Sequence, residues 1–147
     1  MFELTAGAAL VATGVAKVVS IAGDEPYLEM QDTLLGMPII WVMAGAAVLE
    51  CAAAFGLSLM AGNSIVYAGV CALGAAFLVY RVRLAFVGQD GGCPCLGRAG
   101  DWLGLSKEAV DILLWLLALW LFIGGGVCTV ASVSRDGRDA RSELRGR

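Results

Sequence analysis

MPIIWVMAGAAVLECAAAFGLSLMA (residues 37–61) and IVYAGVCALGAAFLVYRVRLAFV (residues 65–87) are separated only by Gly62-Asn63-Ser64. A helix needs about 20 predominantly apolar residues to cross the hydrocarbon core of a bilayer. Both runs exceed that length, and three residues between them leave room only for a tight turn. Asn63 or Ser64 is suited to cap the helix that follows, because their side chains accept from its free N–H groups. The two runs therefore read as a transmembrane helical hairpin.

Two further apolar windows flank the hairpin, at residues 4–23 and 109–133. Together the four spans use most of the 147 residues, and no separate soluble domain fits between them. With 59% hydrophobic and only 16% charged residues, and a mean hydropathy of +0.81, the chain lies outside the range of ordinary soluble domains. The expected fold is all-α: a polytopic membrane protein built as an antiparallel four-transmembrane-helix bundle. Gly and Ala recur along the spans, as at Gly14, Ala47, Gly69 and Gly74. In lipid such small residues let helices approach closely and gain van der Waals contact.

The first span could pass for a secretion signal, with Ser20-Ile21-Ala22 imitating a cleavage site. A signal has a positive segment before its apolar stretch. Here the early charge is Glu3, and Lys17 interrupts the apolar run. The segment is expected to be retained as the first span.

Charge distribution orients the bundle. The tail, residues 135–147, carries Arg135, Arg138, Arg141, Arg145 and Arg147 and is expected to be disordered. The first connection has Asp24, Glu25, Glu29 and Asp32 with no Lys or Arg. The positive-inside rule then puts the tail, and with four spans the N-terminus, in the cytoplasm. Arg81, Arg83, Arg98 and Lys107 around the third connection pull the other way. Membrane lipid is the expected surrounding, and no nucleic-acid partner is expected.

The third connection, about Gly88 to Glu108, carries Cys93-Pro94-Cys95-Leu96-Gly97. A packing role needs no two cysteines at that spacing. A Cys-x-Cys disulfide closes a very small ring, and departure from relaxed disulfide geometry makes a bridge easier to reduce. Pro94 fixes one backbone angle between the thiols, and the positive charge of nearby Arg98 favours thiolate. The leading reading is a redox dithiol, with Cys93 and Cys95 exchanging with a partner. An inert bridge, two free thiols and metal capture are the alternatives. A closed zinc site wants four ligands, and the chain has no His. Cu(I) accepts two or three soft ligands, which leaves Cys93 and Cys95 with Met30 or Met37; no metal site or cofactor is assigned. Cys51, Cys71 and Cys128 lie within spans and read as small buried apolar residues.

Ionisable groups inside spans are costly and usually pair. Lys17 late in the first span and Glu50 in the middle of the second are long enough to meet between the helices. Their pairing reads as a device fixing helix register, with a proton or ligand site as the other reading. Asp111 is placed to cap the fourth helix, whose N-terminus favours negative charge, or to tune the nearby thiols. Ser106, followed by Glu108 and Ala109, marks that helix's start. Trp41, Tyr27, Phe86, Trp102 and Tyr80 read as aromatic-belt residues, and Trp115 and Trp120 as packing or lipid-facing ones.

These residues resemble a family. Gly14-Val15-Ala16-Lys17, Leu49-Glu50, Cys93-Pro94-Cys95-Leu96-Gly97 and Asp111-Ile112-Leu113-Leu114 are similar, in order and spacing, to the motifs of the MauE (methylamine-utilisation) type of DoxX-like membrane proteins. Leu96 stands where the family more usually has Phe. The resemblance spans nearly the whole chain, although its motifs are short. It implies a four-helix, redox-associated integral membrane protein. With the orientation set by the charges, the expected location is the bacterial inner (cytoplasmic) membrane, with both termini cytoplasmic and the Cys93/Cys95 loop extracytoplasmic. The resemblance further implies a role beside a thioredoxin-like partner in maturing a disulfide-rich enzyme, with Cys93 and Cys95 as the dithiol and Lys17 and Glu50 as an internal polar pair. The alternative function is a non-catalytic structural or assembly subunit of a larger membrane complex.

Overall fold

The computed structural model describes residues 1–23, 26–32, 35–87, 104 and 106–145. Among these residues there are four α-helices and no strands: α1 (Phe2–Ala22), α2 (Ile39–Leu59), α3 (Ser64–Val87) and α4 (Lys107–Arg145). A 3-10 turn at Pro26–Glu29 and an isolated bridge between Gln31 and Pro38 organise the first connection. Each α-helix contains a stretch long and apolar enough to cross a membrane, with mean hydropathies of 1.7, 1.9, 1.9 and 2.2 in chain order. Their outward faces expose Leu4, Trp41, Phe55, Phe86 and Val127. Water is a poor solvent for such faces, and acyl chains are a good one. The protein is a multi-pass, all-α membrane protein in contact with lipid.

The helix starts follow local hydrogen bonding. The backbone N–H of Ile65 donates to Asn63 Oδ1 at 2.9 Å, so Asn63 caps α3. Gly62 beside it takes φ 91°, a left-handed turn conformation natural only to glycine. Ser106 Oγ likewise accepts from the Ala109 N–H at 3.2 Å and caps α4. Asp111 does not act as the cap; it lies one turn into α4 and is engaged elsewhere. Helical backbone continues to Arg145 through the tail expected to be disordered. Its Arg, Ala, Glu and Leu residues are good helix formers, and the segment simply extends an existing helix rather than nucleating one.

The helices associate as two intimate pairs. On α1 the buried stripe is Ala6, Leu10, Gly14, Lys17 and Ser20, and on α2 it is Met43, Ala47, Glu50, Ala54 and Leu57. Both repeat at three or four residues, which places each stripe on one face. Gly14 brings these faces together: a Cβ there would lie 3.3 Å from Cys51 Sγ and 3.7 Å from the Ala47 carbonyl oxygen. Between α3 and α4 the approach is closer still. A Cβ on Gly74 would sit 2.6 Å from the backbone nitrogen of Phe122, and one on Gly125 would sit 2.8 Å from that of Cys71. By contrast, α2 and α3 touch over far less of their length.

One core joins all four helices, and it occupies only half the bundle. Leu10, Leu57, Val70 and Leu121, with Ala6, Ala54, Tyr67 and Leu73, cluster towards the end that holds the N-terminus and the α2–α3 turn. Phe2 packs edge-on against Trp120 with ring centroids 5.2 Å apart, over Gly124. The Tyr67 hydroxyl donates to Glu3 Oε1 and accepts from the Gly62 N–H at 3.0 Å, tying α1 to the turn.

Gly74→Ala is expected to cost about 1–3 kcal/mol, the range for adding a methyl group to a filled interface. Gly69→Ala, whose Cβ would meet nothing within 4 Å, serves as the neutral control. Reversible unfolding in mixed micelles reads the difference. Equal stability of the two variants would show that α3 and α4 are not in backbone contact.

Candidate functional site

At the opposite end, where the first and third connections leave the bundle, α2 and α3 diverge. The opening is a cleft of about 830 Å³. Its walls are apolar, formed by Val42, Ala46, Leu49, Leu73, Ala76 and Phe77 among others, and its polar groups are Thr13, Lys17, Glu50, Tyr80, Arg81 and Arg83. A concave, mainly apolar site with a few convergent polar groups, in the size range of roughly 300–1,000 Å³, is the usual form of a small-molecule site.

The Lys17–Glu50 pair forms one wall. Lys17 is 4% exposed and Glu50 1%, and the ammonium donates to both carboxylate oxygens at 2.7 and 2.9 Å. Lys17 Nζ also reaches the Thr13 carbonyl oxygen at 3.5 Å and lies 5.8 Å from the centroid of the Phe77 ring. The two residues meet because each occupies a position on its helix's buried stripe. Phe77 adds an aromatic face from α3, so the α1–α2 pair is linked to α3 through a cation–π contact.

A second buried cation staples α3 to α4. Arg81 is 6% exposed, donates to the Asp111 carbonyl oxygen at 2.9 Å and forms an ion pair with Asp111 Oδ1. Its guanidinium lies 5.5 Å from the Trp115 ring centroid. Asp111 and Trp115 are one turn apart on α4, so both meet the same guanidinium. Each tight helix pair thus contains one buried cation and one carboxylate, with an aromatic ring beside the cation: Phe77 from α3 for Lys17, and Trp115 of α4 for Arg81.

The first connection is fastened to the same end. Tyr80 donates its hydroxyl to Asp32 Oδ2, while Asp32 Oδ1 accepts the Leu35 N–H at 2.9 Å. The Asp32 N–H donates to the Met37 carbonyl at 2.8 Å, and Ile39 N–H to that of Met30 at 2.9 Å. Tyr80 is therefore held by a buried carboxylate of the first connection.

Of the residues singled out from sequence, Lys17 and Glu50 come together directly, and Asp111 pairs with Arg81 instead of capping α4. Cys93, Cys95 and Arg98 lie outside the described residues. Cys71 and Cys128 are half-buried, but Cys51 is exposed, contrary to the expectation of burial; it flanks Gly14 at the rim of the α1–α2 contact. At about 1.5 Å per residue, Cys71 lies about 24 Å down α3 from its end at Val87. Met30 and Met37 are exposed.

Sequence reasoning missed Arg81 and Asp32 by counting them as connection charges. A signal for Arg81 was present. Tyr67, Val70, Gly74, Phe77 and Arg81 recur at intervals of three or four, which puts Arg81 on the inward stripe of α3. In comparisons with known proteins the chain matches no family model, no curated protein and no solved structure.

Proposed function

We propose that the protein is a redox-accessory protein of the MauE type in the bacterial inner membrane. On this reading Cys93 and Cys95 form a dithiol that exchanges disulfides with an extracytoplasmic partner or helps to mature one. The observation that carries the proposal is the Cys93-Pro94-Cys95 spacing in residues 88–106, which connect the ends of two antiparallel spans. A dithiol there is tethered at a membrane surface, where a partner can reach it. Support also comes from the remoteness of Cys71 and Cys128: neither is within reach for direct exchange with a thiol at that surface, so the loop pair works with a partner.

The exchange balances within the pair and its partner. One loop thiolate attacks a sulfur of the partner's disulfide, forms a mixed disulfide and releases the partner's other sulfur as thiolate. The second loop thiolate attacks its neighbour's sulfur, frees the partner as a dithiol and leaves Cys93–Cys95 oxidised. Two electrons have passed to the partner, and a thioredoxin-like dithiol protein would reset the pair. The Lys17–Glu50 and Arg81–Asp111 pairs serve as positioning residues: they fix the helices that anchor the loop.

Thiol trapping in intact cells with a membrane-impermeant reagent tests both the chemistry and the orientation. Cys93 and Cys95 are expected to be labelled after mild reduction, and a single Cys→Ser variant at one of them is expected to accumulate a mixed disulfide with a partner. A pair that stays oxidised or is never reached, with normal function in the double Cys→Ser variant, would support a non-catalytic assembly subunit instead.

A further inference from the structure

We infer that the cleft between α2 and α3 is a binding site for one anionic phospholipid from the leaflet at the loop end of the bundle. Depth is the first argument. The cleft runs along α2 from Ile39 to Glu50 and along α3 from Arg83 to Leu73. At 1.5 Å per residue these distances are about 16 and 15 Å. Half of a hydrocarbon core about 30 Å thick is about 15 Å. The cleft therefore spans a single leaflet, from the interface to the midplane.

Charge is the second argument. Three polar side chains at the cleft are already satisfied: Lys17 by Glu50, Arg81 by Asp111, and Tyr80 by Asp32. Arg83 also lines the cleft, is exposed, and has no acidic partner among the described residues. It lies four residues from the end of α3, about 6 Å below it, within reach of the headgroup layer for a side chain that snorkels. Among the described residues, the mouth thus carries one positive charge without an acidic partner, above apolar walls. Trp41, exposed in the first turn of α2, borders the same mouth.

The occupant matching both features has a phosphate at Arg83 and an acyl chain lying against Val42, Ala46, Leu49 and Ala76. Such a chain also covers the cleft side of the Lys17–Glu50 pair and keeps water from it. This site is independent of the thiol reading, and its test does not involve the cysteines.

The probe is phosphatidylglycerol against phosphatidylcholine with identical acyl chains, offered to the delipidated full-length protein and read by native mass spectrometry. One phosphatidylglycerol is expected to be retained per chain in preference to phosphatidylcholine. Arg83→Gln is expected to weaken that retention about fivefold, the equivalent of about 1 kcal/mol for one basic residue at an anionic surface. Ala76→Phe, or Ala46→Leu should the first fail to give a monodisperse helical protein, fills the cleft and is expected to abolish retention with Arg83 in place. Wild-type retention in both cleft-filling variants would overturn the site and reduce the effect to surface attraction by Arg83. Equal retention of the two lipids, or a dimer in which a second copy covers the cleft, would also overturn it.

Discussion

Leucine at position 50, with Lys17 retained, is expected to destabilise the bundle by about 3–5 kcal/mol, the cost of stranding one member of a buried ion pair. The ammonium of Lys17 would lose both of its charge-assisted bonds and keep only the long contact to the Thr13 carbonyl and the Phe77 ring. Lys17→Leu with Glu50 retained is expected to fall in the same range, because Glu50 lies deeper and pairs with no other cation among the described residues. The double Leu variant is expected within about 1–2 kcal/mol of the parent, since a buried pair replaced by apolar residues of similar volume is often neutral. Unfolding of the four proteins in mixed micelles closes a double-mutant cycle. If the double variant were as unstable as either single one, the pair would not act as a unit, and a register-fixing role for it would be lost. Loss of thiol exchange in a stably folded double variant would instead assign the pair to the chemistry.

That pair was legible in the sequence for a simple reason. A charge in the middle of a long apolar run has no interface to reach, so it must be paired inside the bundle. The spans were legible on the same ground, because length and hydropathy report directly on what a bilayer accepts. Arg81 lies only six residues before the end of α3, where a cation is equally consistent with the interface, and only its place on the inward stripe tells the two apart. Asp32 was harder still. Its partner Tyr80 is 48 residues away, and nothing local marks the contact. The cleft had no signature at all, because it arises from the divergence of α2 and α3. Helical periodicity reports which face of a helix is buried and not how far its neighbour stands from it. Gly74 and Gly125 were visible as small residues, but which helix each approaches depends on the register of the pair.

Asp111→Leu is expected to cost more than Arg81→Leu, although the two changes break the same ion pair. The asymmetry follows from burial. Arg81 has a side chain only 6% exposed, whereas 47% of the Asp111 side chain is open. Removing the carboxylate leaves a buried guanidinium with the Asp111 carbonyl and the Trp115 ring as its remaining contacts. That situation approaches the stranded-charge cost of about 3–5 kcal/mol. Removing the guanidinium leaves a carboxylate that water can solvate where it stands, and the loss falls towards the roughly 0–1 kcal/mol typical of exposed pairs. The expected order of destabilisation is therefore Glu50→Leu, then Asp111→Leu, then Arg81→Leu, measured in the same mixed micelles. The first two are close because each strands a buried cation, and Glu50→Leu ranks first because Lys17 keeps only the 3.5 Å contact to the Thr13 carbonyl whereas Arg81 keeps the Asp111 carbonyl at 2.9 Å. A reversal, with Arg81→Leu the most damaging, would mean that Arg81 matters through its packing over Trp115 rather than its charge. Arg81→Lys separates those cases: a lysine keeps the charge but lacks the planar group that can reach the Asp111 carboxylate and carbonyl together.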